Sequence, residues 1–287
     1  MRPGPAGQTS RSSGRPLTER GRRTLLRTGD GVLVDAHHDP GPDTRTGAGG
    51  PLAIVVAHGF TGDLERPHVR RAVRVFAQRA GVITFSFRGH GASGGRSTVG
   101  DREVLDLAAA VDWARRLGYE RVVTVGFSMG GSVVLRHAAS GGTGRDPGHE
   151  GRTGARLDAV VAVSAPARWY YRGTAPMRRL HWMVTRPAGR LVGRYGFRTR
   201  IHHEDWDPVP LSPVESVPLI APTPLLIVHG DQDPYFPLDH PRTLAAAGRG
   251  EAALWLEQGM GHAEHAASDE LLDRISAWCS DRCVQAA

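Results

Sequence analysis

A serine between two glycines is the residue whose surroundings most clearly suggest chemistry. Ser128 lies in the segment Gly126-Phe127-Ser128-Met129-Gly130, which follows an apolar run and opens a stretch with helical spacing. On a tight turn from strand to helix, a serine projects its hydroxyl over the edge of the sheet, and small flanking residues let the backbone turn that sharply. The amides at the start of the helix point to the same place. The pattern predicts a nucleophile at Ser128.

A serine hydroxyl is a weak nucleophile, so it needs a base that a carboxylate holds in position. Two later segments supply candidates, and each follows a predicted strand. The first contains Asp231 and Asp233, and the second, Gly259-Met260-Gly261-His262, ends on a histidine. Because parallel strands bring their carboxyl ends to one edge of a sheet, we expect Ser128, an aspartate and His262 to converge there. His265, three residues further on, is the alternative base.

An early loop supplies a fourth part of the expected site. His58, Gly59 and Phe60 directly follow the apolar run 52–57. Acyl transfer requires backbone N–H groups that bind the oxygen on which negative charge develops. The amide of Met129, next to the serine, and the amide of Phe60 are the natural pair, and Gly59 permits a close approach. We expect His58 to pack this loop and to take no part in the chemistry.

The elements that must position these residues alternate between strand and helix. Short apolar runs predict strands at 31–36, 52–57, 82–87, 122–127, 160–164, 225–229 and 252–257. Helical spacing predicts helices at 68–80, 101–117, 129–139, 244–247 and 269–283, the second capped by Asp101. Short links between such elements indicate an α/β fold, with a mostly parallel central sheet and helices on both faces.

Three segments do not fit this alternation. Residues 1–28 are rich in Gly, Pro, Ser and Arg, so we expect a disordered leader before one domain at 29–287. Residues 140–156 are rich in Gly and charge and predict a surface loop. Residues 168–216, hereafter the insertion, are too long for a turn. We expect a folded cap there because the segment is dense in aromatic residues, namely Trp169, Tyr170, Tyr171, Trp182, Tyr195, Phe197 and Trp206.

Composition restricts the classes of partner and the cellular location. The net charge is +7 and every basic side chain is arginine, but the arginines are dispersed and no nucleic-acid-binding motif is present, so we expect no nucleic-acid partner. No run of about 18 apolar residues predicts a membrane span. Cys279 and Cys283 are too few for a structural zinc site, and we expect reduced thiols on one face of a terminal helix. These features favour a cytoplasmic protein.

Five segments together resemble the α/β-hydrolase superfamily, in particular its serine-aminopeptidase-like and monoacylglycerol-lipase-like branch. They are HGF (58–60), FRGHGAS (87–93), GFSMGG (126–131), HGDQDPYFP (229–237) and GMGHA (259–263). The resemblance implies Ser128 as nucleophile, His262 as base and Asp233 as acid, with Asp231 shaping its turn. It also implies a structural turn at 88–91, although Phe87 stands where relatives often have aspartate, a departure that affects turn packing.

The activity that the resemblance implies is hydrolysis of a small-molecule carboxylic ester through an acyl-enzyme, without a cofactor. A peptidase, an acyl-thioesterase and a non-catalytic ligand-binding protein remain alternatives. The insertion contains an acidic and histidine-rich cluster with no known metal-ligand spacing, so no metal is expected; its members are His202, His203, Glu204, Asp205 and Asp207. The arginines of 168–200 fit a solvated face or a basic lid, and the solvated face is favoured.

Overall fold

A computed structural model describes residues 21–42, 50–143 and 157–285 of the chain. Its strands form one sheet in the spatial order β1-β2-β4-β3-β5-β6-β7-β8. The neighbouring pairs from β4 to β8 are parallel, whereas β2 pairs antiparallel with both β1 and β4. The strands are β1 (Arg22–Arg27), β2 (Leu33–Asp39), β3 (Leu52–Ala57), β4 (Gly81–Phe85), β5 (Arg121–Phe127), β6 (Ala159–Val163), β7 (Leu225–Gly230) and β8 (Ala252–Glu257). The predicted α/β class with a mostly parallel sheet is confirmed.

Helices cover both faces of this sheet. The helices of the described residues are α1 (Pro67–Phe76), α2 (Glu103–Arg116), α3 (Met129–Thr143), α4 (Ala175–Thr185), α5 (Pro187–Gly196), α6 (Pro213–Ser216), α7 (Asp239–Ala247), α8 (Ala263–Ala266) and α9 (Asp269–Gln285). A 3-10 turn at Val217–Leu219 follows α6. Among the described helices, none is long and apolar enough to cross a membrane.

The central strands are apolar on both faces because each face meets a layer of helices. In β3, Ala53 and Val55 pack into a core with α2, α3 and α7, whereas Ile54 and Val56 pack into a second core with α1 and α9. Both cysteines belong to the second core, where they are free and buried on α9. This double burial explains why these strands read as continuous apolar runs and not as alternating ones.

The expected leader is wrong at its C-terminal end. Arg22–Arg27 form β1, which pairs along its whole length with β2, so that Arg22 lies opposite His38 and Arg27 opposite Leu33. Leu26 is buried while Leu25 is exposed, which is the alternation of an edge strand with one face on the core. The strand escaped prediction because three of its six residues are arginines, so that its apolar part is too short to read as a strand. Residues 1–20 lie outside the described residues.

Several helix boundaries also differ from expectation: α1 ends at Phe76 and not at residue 80, and α7 begins at Asp239 and not at residue 244. Asp101 does not cap α2, which begins at Glu103; the Glu103 carboxylate instead accepts hydrogen bonds from the amides of Thr98 (2.9 Å) and Gly100 (2.9 Å). Asp101 lies 3.5 Å from Arg136 on α3. Helix α3 continues to Thr143, into the predicted surface loop, and 144–156 lie outside the described residues.

The insertion folds as helices α4 and α5, an extended segment and the short helix α6. Thr174 caps α4 by accepting a hydrogen bond from the amide of Met177 at 3.4 Å. Helix α5 crosses α4 closely at Gly189, where a Cβ atom would lie 2.6 Å from Met183 Cα. After α5 the chain returns to the body of the protein, where the Trp206 indole donates to the carbonyl oxygen of Thr98 at 2.7 Å. These contacts place the insertion over the C-terminal edge of the sheet.

Candidate active site

Ser128 lies on the turn between β5 and α3 in a conformation that few non-glycine residues adopt. Its φ angle is 52°, and its N–H donates to the carbonyl oxygen of Val163 at 2.9 Å. A Cβ atom at Gly126 would overlap the carbonyl oxygen of Gly130, and a Cβ atom at Gly130 would overlap that of Ala57. Both glycines are therefore required for the close approach of backbone that holds Ser128 at the edge of the sheet.

His262 lies between Ser128 and Asp233. Its Nε2 atom is 2.9 Å from Ser128 Oγ, and its Nδ1 atom is 2.7 Å from Asp233 Oδ2. The carboxylate can only accept, so Nδ1 carries the proton and Nε2 is free to accept from the serine. The structure thus brings together the three residues that the sequence selected, although they are distant in the chain. Gly230 permits this, because a Cβ atom there would overlap the Met260 carbonyl oxygen in the turn that leads to His262.

The Asp233 side chain is fully buried. Burial opposes its ionisation, but hydrogen bonds from His262 and from the amides of Tyr235 (2.8 Å) and Phe236 (3.1 Å) outweigh burial and lower the pKa of Asp233. The group is therefore ready to orient and stabilise a charged imidazole. Asp231 instead accepts a hydrogen bond from the amide of Gly259 at 2.7 Å, which joins the two turns.

The loop after β3 is fixed by buried histidines. His58 accepts a hydrogen bond from the Phe87 amide at Nε2 (3.0 Å) and donates from Nδ1 to the carbonyl oxygen of Gly59 (2.7 Å). Burial, together with the nearby His90, lowers the pKa of His58 to about 3, so the ring stays neutral. His90 in turn accepts a hydrogen bond from the Thr61 amide at 3.3 Å. His58 packs the loop, as the sequence predicted.

The backbone N–H groups of Phe60 and Met129 are free to bind a ligand. Within the described parts of the chain, neither donates to a protein acceptor, and both residues line the cavity that contains Ser128. Gly59 approaches closely enough that a Cβ atom would lie 3.4 Å from Ser128 Cβ. The arrangement can offer two donors to an oxygen on a carbon attached to the serine.

Sequence reasoning missed three residues that support this arrangement. Glu264 accepts a hydrogen bond from the Gly59 amide at 3.3 Å, and Ser164 accepts one from the Ala263 amide at 3.0 Å. Tyr235 stacks on the His262 ring, with the ring centroids 4.3 Å apart. Glu264 and Ser164 carry no local signal, since their partners are remote in the sequence. Tyr235 lies in the segment 229–237 and could have been singled out as an aromatic beside the candidate acid.

A cavity of about 800 Å³ opens above Ser128 and is covered by the insertion. Part of its wall is apolar, formed by Phe60, Met177, Leu180, Val184, Trp169, Trp206 and Phe236. Of the aromatic residues that predicted a cap, Trp169, Tyr170, Tyr171 and Trp206 line the cavity. Trp182, Tyr195 and Phe197 are exposed, Tyr195 by 75%. The insertion thus presents aromatic side chains both to the cavity and to the protein exterior.

Charged residues of the insertion divide in the same way. Most of its arginines are exposed, as expected for a solvated face. The exposed Arg168 and Arg172 and the half-buried Arg190 also line the cavity. The predicted histidine and acidic cluster does not converge as a ligand set: the rings of His202 and His203 stack with their centroids 5.2 Å apart, and both residues border the cavity. Glu204 and Asp205 border it as well.

Comparison with known proteins identifies the family. A model of the alpha/beta hydrolase family matches residues 54–274, a range that includes Ser128, Asp233 and His262. The chain belongs to the alpha/beta hydrolase family. The assignment makes the chain a hydrolase, and its family implies a small-molecule substrate.

Solved structures share the fold of this α/β hydrolase at low sequence identity. An esterase of Pyrococcus furiosus is 19% identical with a TM-score of 0.67, and the match covers 97% of this chain and 99% of that one. A lidless α/β serine hydrolase of Xanthomonas campestris is 18% identical with a TM-score of 0.57, covering 94% and 96%. Est1E of Butyrivibrio proteoclasticus is 18% identical with a TM-score of 0.59, covering 92% and 99%. These likenesses concern the fold.

Proposed function

We propose that this α/β hydrolase cleaves carboxylic esters through Ser128, His262 and Asp233, with an acyl-enzyme intermediate. The observation that carries the proposal is the continuous line of hydrogen bonds from Ser128 Oγ through His262 to Asp233, which begins at the floor of a cavity. A nucleophile within hydrogen-bond reach of a base, which a third group orients, is the arrangement that acyl transfer requires.

In the acylation step, Ser128 Oγ attacks the ester carbonyl carbon while its proton moves to Nε2 of His262. Asp233 stays ionised, because its hydrogen bonds lower its pKa, and it stabilises the imidazolium that forms. The imidazolium then gives its proton to the leaving alcohol oxygen as the ester C–O bond breaks. Water attacks the acyl-enzyme with His262 again as base, and Ser128 recovers its proton when the acid leaves.

The amides of Phe60 and Met129 are proposed to bind the carbonyl oxygen while it carries negative charge. Their lack of protein acceptors in the described structure supports this role. The contacts of His58 and Glu264 hold the loop of Phe60 in place before substrate arrives. Preorganised donors of this kind are typically worth about 2.7–4 kcal/mol each in the transition state.

The cavity wall indicates the substrate class. Met177, Leu180 and Val184 of the insertion line the cavity from α4, opposite Phe60 and Met129. Apolar walls favour an apolar acyl group, since burial of its surface is favourable by about 25 cal/mol per Å². We therefore propose esters with an aliphatic or aromatic acyl chain as substrates.

A second candidate is hydrolysis of acyl thioesters. Arg168, Arg172 and Arg190 line the same cavity, and their guanidinium groups suit an anionic leaving group such as one bearing phosphates. Glu204 and Asp205 also border the cavity. Their carboxylates would suit a substrate with a cationic amine, so a peptide is the third candidate. A panel of ester, thioester and amide substrates that share one acyl group separates these candidates.

The decisive experiment is intact-mass detection of a fluorophosphonate adduct, with peptide mapping and Ser128→Ala as control. We expect one adduct on Ser128 that the variant lacks, because only an activated serine beside two oxyanion donors reacts. An adduct at another residue, or a Ser128→Ala variant that turns over esters at the wild-type rate, would overturn the proposal. A folded protein that gives no adduct would favour a ligand-binding protein on the hydrolase scaffold.

A further inference from the structure

A second cluster of polar side chains, unused by the proposed chemistry, lies behind the turn that carries His262. His68 on α1 meets Glu264 and His265 on α8, and one nitrogen or oxygen atom from each lies within 4.8 Å of the others. Over the ranges 21–42, 50–143 and 157–285, this is the group of histidine, cysteine and acidic residues whose ligand atoms converge closely enough to hold an ion. It is separate from the histidine and acidic cluster of the insertion.

Two atoms of this cluster are buried without a partner. Glu264 is 2% exposed; its Oε1 accepts from the Gly59 amide, but its Oε2 has no hydrogen-bond partner. The Nε2 atom of His68 is also buried without a hydrogen bond, 3.7 Å from Glu264 Oε1. An unpaired buried carboxylate oxygen is costly, and buried charges are ordinarily paired or bound to metal. A cation bound among the three side chains would pair with the carboxylate and use the free lone pair of the His68 ring.

The side chain of Arg71 holds this cluster in place. Arg71 of α1 donates to the carbonyl oxygens of Glu264 (2.8 Å) and Ala267 (2.6 Å) and to the Asp269 carboxylate (3.0 Å). Its guanidinium thus ties α8 to α1 through the backbone carbonyl oxygens at the two ends of α8. The His265 ring packs on that of His68, with the centroids 3.5 Å apart, and His265 is exposed. The cluster therefore combines a buried carboxylate with a route to solvent.

We propose that His68, Glu264 and His265 bind a divalent transition-metal ion, with Zn²⁺ as the ion of choice. Two imidazoles and one carboxylate are a ligand set that Zn²⁺ takes, with water in the fourth position. Ligand atoms at about 2.0–2.1 Å from a tetrahedral ion lie roughly 3.4 Å apart. His68 Nε2 lies 3.7 Å from Glu264 Oε1, and one ligand atom from each of the three residues lies within 4.8 Å of the others. Imidazole ligands favour zinc and other first-row transition metals over magnesium or calcium.

The site would be linked to the proposed catalytic centre by two paths, one along the chain and one through a hydrogen bond. Glu264 follows His262 by two residues, and the same carboxylate holds the Gly59 amide beside Ser128. Its existence does not depend on the proposed ester hydrolysis, since none of its three ligands contacts Ser128 Oγ or Asp233 in that scheme. Binding is therefore measured directly, without an activity assay.

The test is isothermal titration of the metal-stripped full chain with zinc chloride, alongside thermal unfolding. We expect one equivalent to bind and to raise the melting temperature. His265→Ala, a change at an exposed residue, should weaken binding by at least about tenfold, since even loss of an outer-shell partner weakens metal affinity 10- to 100-fold. Glu264→Gln should weaken it too.

Two controls separate this site from other places where zinc could bind. His203→Ala removes an exposed histidine of the insertion, and His262→Ala removes the candidate base; both variants should keep the site. The proposal would be overturned if His203→Ala or His262→Ala lost zinc binding while His265→Ala kept it. It would also be overturned if the full chain showed no saturable zinc binding.

Discussion

The hydroxyl oxygen of Ser164 accepts a hydrogen bond from the amide of Ala263 at 3.0 Å, tying the end of β6 to the residue that follows His262. Both residues have positive φ angles, 51° for Ser164 and 54° for Ala263. Strain of this kind persists only where surrounding contacts fix it. Ser164 is therefore a positioning residue for the imidazole that faces Ser128.

Ser164→Ala should lower kcat more than it changes KM, because the variant leaves a buried amide unpaired and lets the His262 turn shift. The lost hydrogen bond should cost about 1–3 kcal/mol of stability. Steady-state kinetics on an aryl ester, together with urea unfolding, measures both effects. Ser164→Cys, which restores a weak acceptor at the same position, should recover part of kcat. Equal kcat values for the wild type and Ser164→Ala would refute the positioning role.

Asp233→Asn should reduce kcat by about 10⁴, because an amide donor at this position favours the wrong histidine tautomer. Asp231→Asn is the matched control, since its side-chain oxygen can still accept from the Gly259 amide. It should retain most of the activity and lose at most a little stability. Comparable losses in the two variants would show that the acid is assigned to the wrong aspartate.

Stability should decrease as the pH falls from about 6.5 toward 4. Burial lowers the pKa of His90, His137 and His240 to about 4, so these rings stay neutral in the folded state. The unfolded chain binds protons on them near pH 6.5. The unfolded state then carries more protons than the folded state. The free energy of unfolding therefore decreases as the pH is lowered through this window. Urea unfolding at several pH values measures the slope.

His137 offers a direct test of this pH dependence, because burial alone accounts for its lowered pKa and its Nδ1 atom has no partner. His137→Leu should flatten the slope by about 1.4 kcal/mol per pH unit within the window. Val134→Ala, another buried change on α3, should lower stability equally at every pH. An unchanged slope in His137→Leu would contradict the assignment.

The apolar wall of the insertion should set the preference for acyl chain length. Val184→Trp adds bulk to the cavity above Ser128 and should lower kcat/KM for long acyl esters while sparing acetate. Trp182→Ala, on the exposed side of the same helix, should leave the chain-length profile as it is. A series of p-nitrophenyl esters from acetate to dodecanoate measures the profile. An identical profile in Val184→Trp would place the acyl group elsewhere.

Local patterns in the sequence carried much of the fold. The strands predicted at 52–57 and 252–257 have the observed bounds. The first is buried on both faces and is therefore apolar along its whole length, whereas the second is a half-buried edge strand whose apolar run is bounded by polar residues. The turn at Ser128 was predictable as well. It requires glycine at 126 and 130, because a side chain at either position would overlap backbone of the turn itself or of the adjacent strand β3. The convergence of Ser128, Asp233 and His262 was predictable because each follows a strand of a parallel sheet.

What only the tertiary structure decided are the contacts between segments that are distant in the chain. Strand β2 pairs with β4, so that Ala36 lies opposite Phe85, a pairing between segments almost fifty residues apart. The link between Gly59 and Glu264 spans 205 residues, and His265, the alternative base, packs on His68 and not on Ser128. Periodicity and motifs report short-range sterics and burial, whereas such pairings depend on how the sheet and its helices bring remote side chains together.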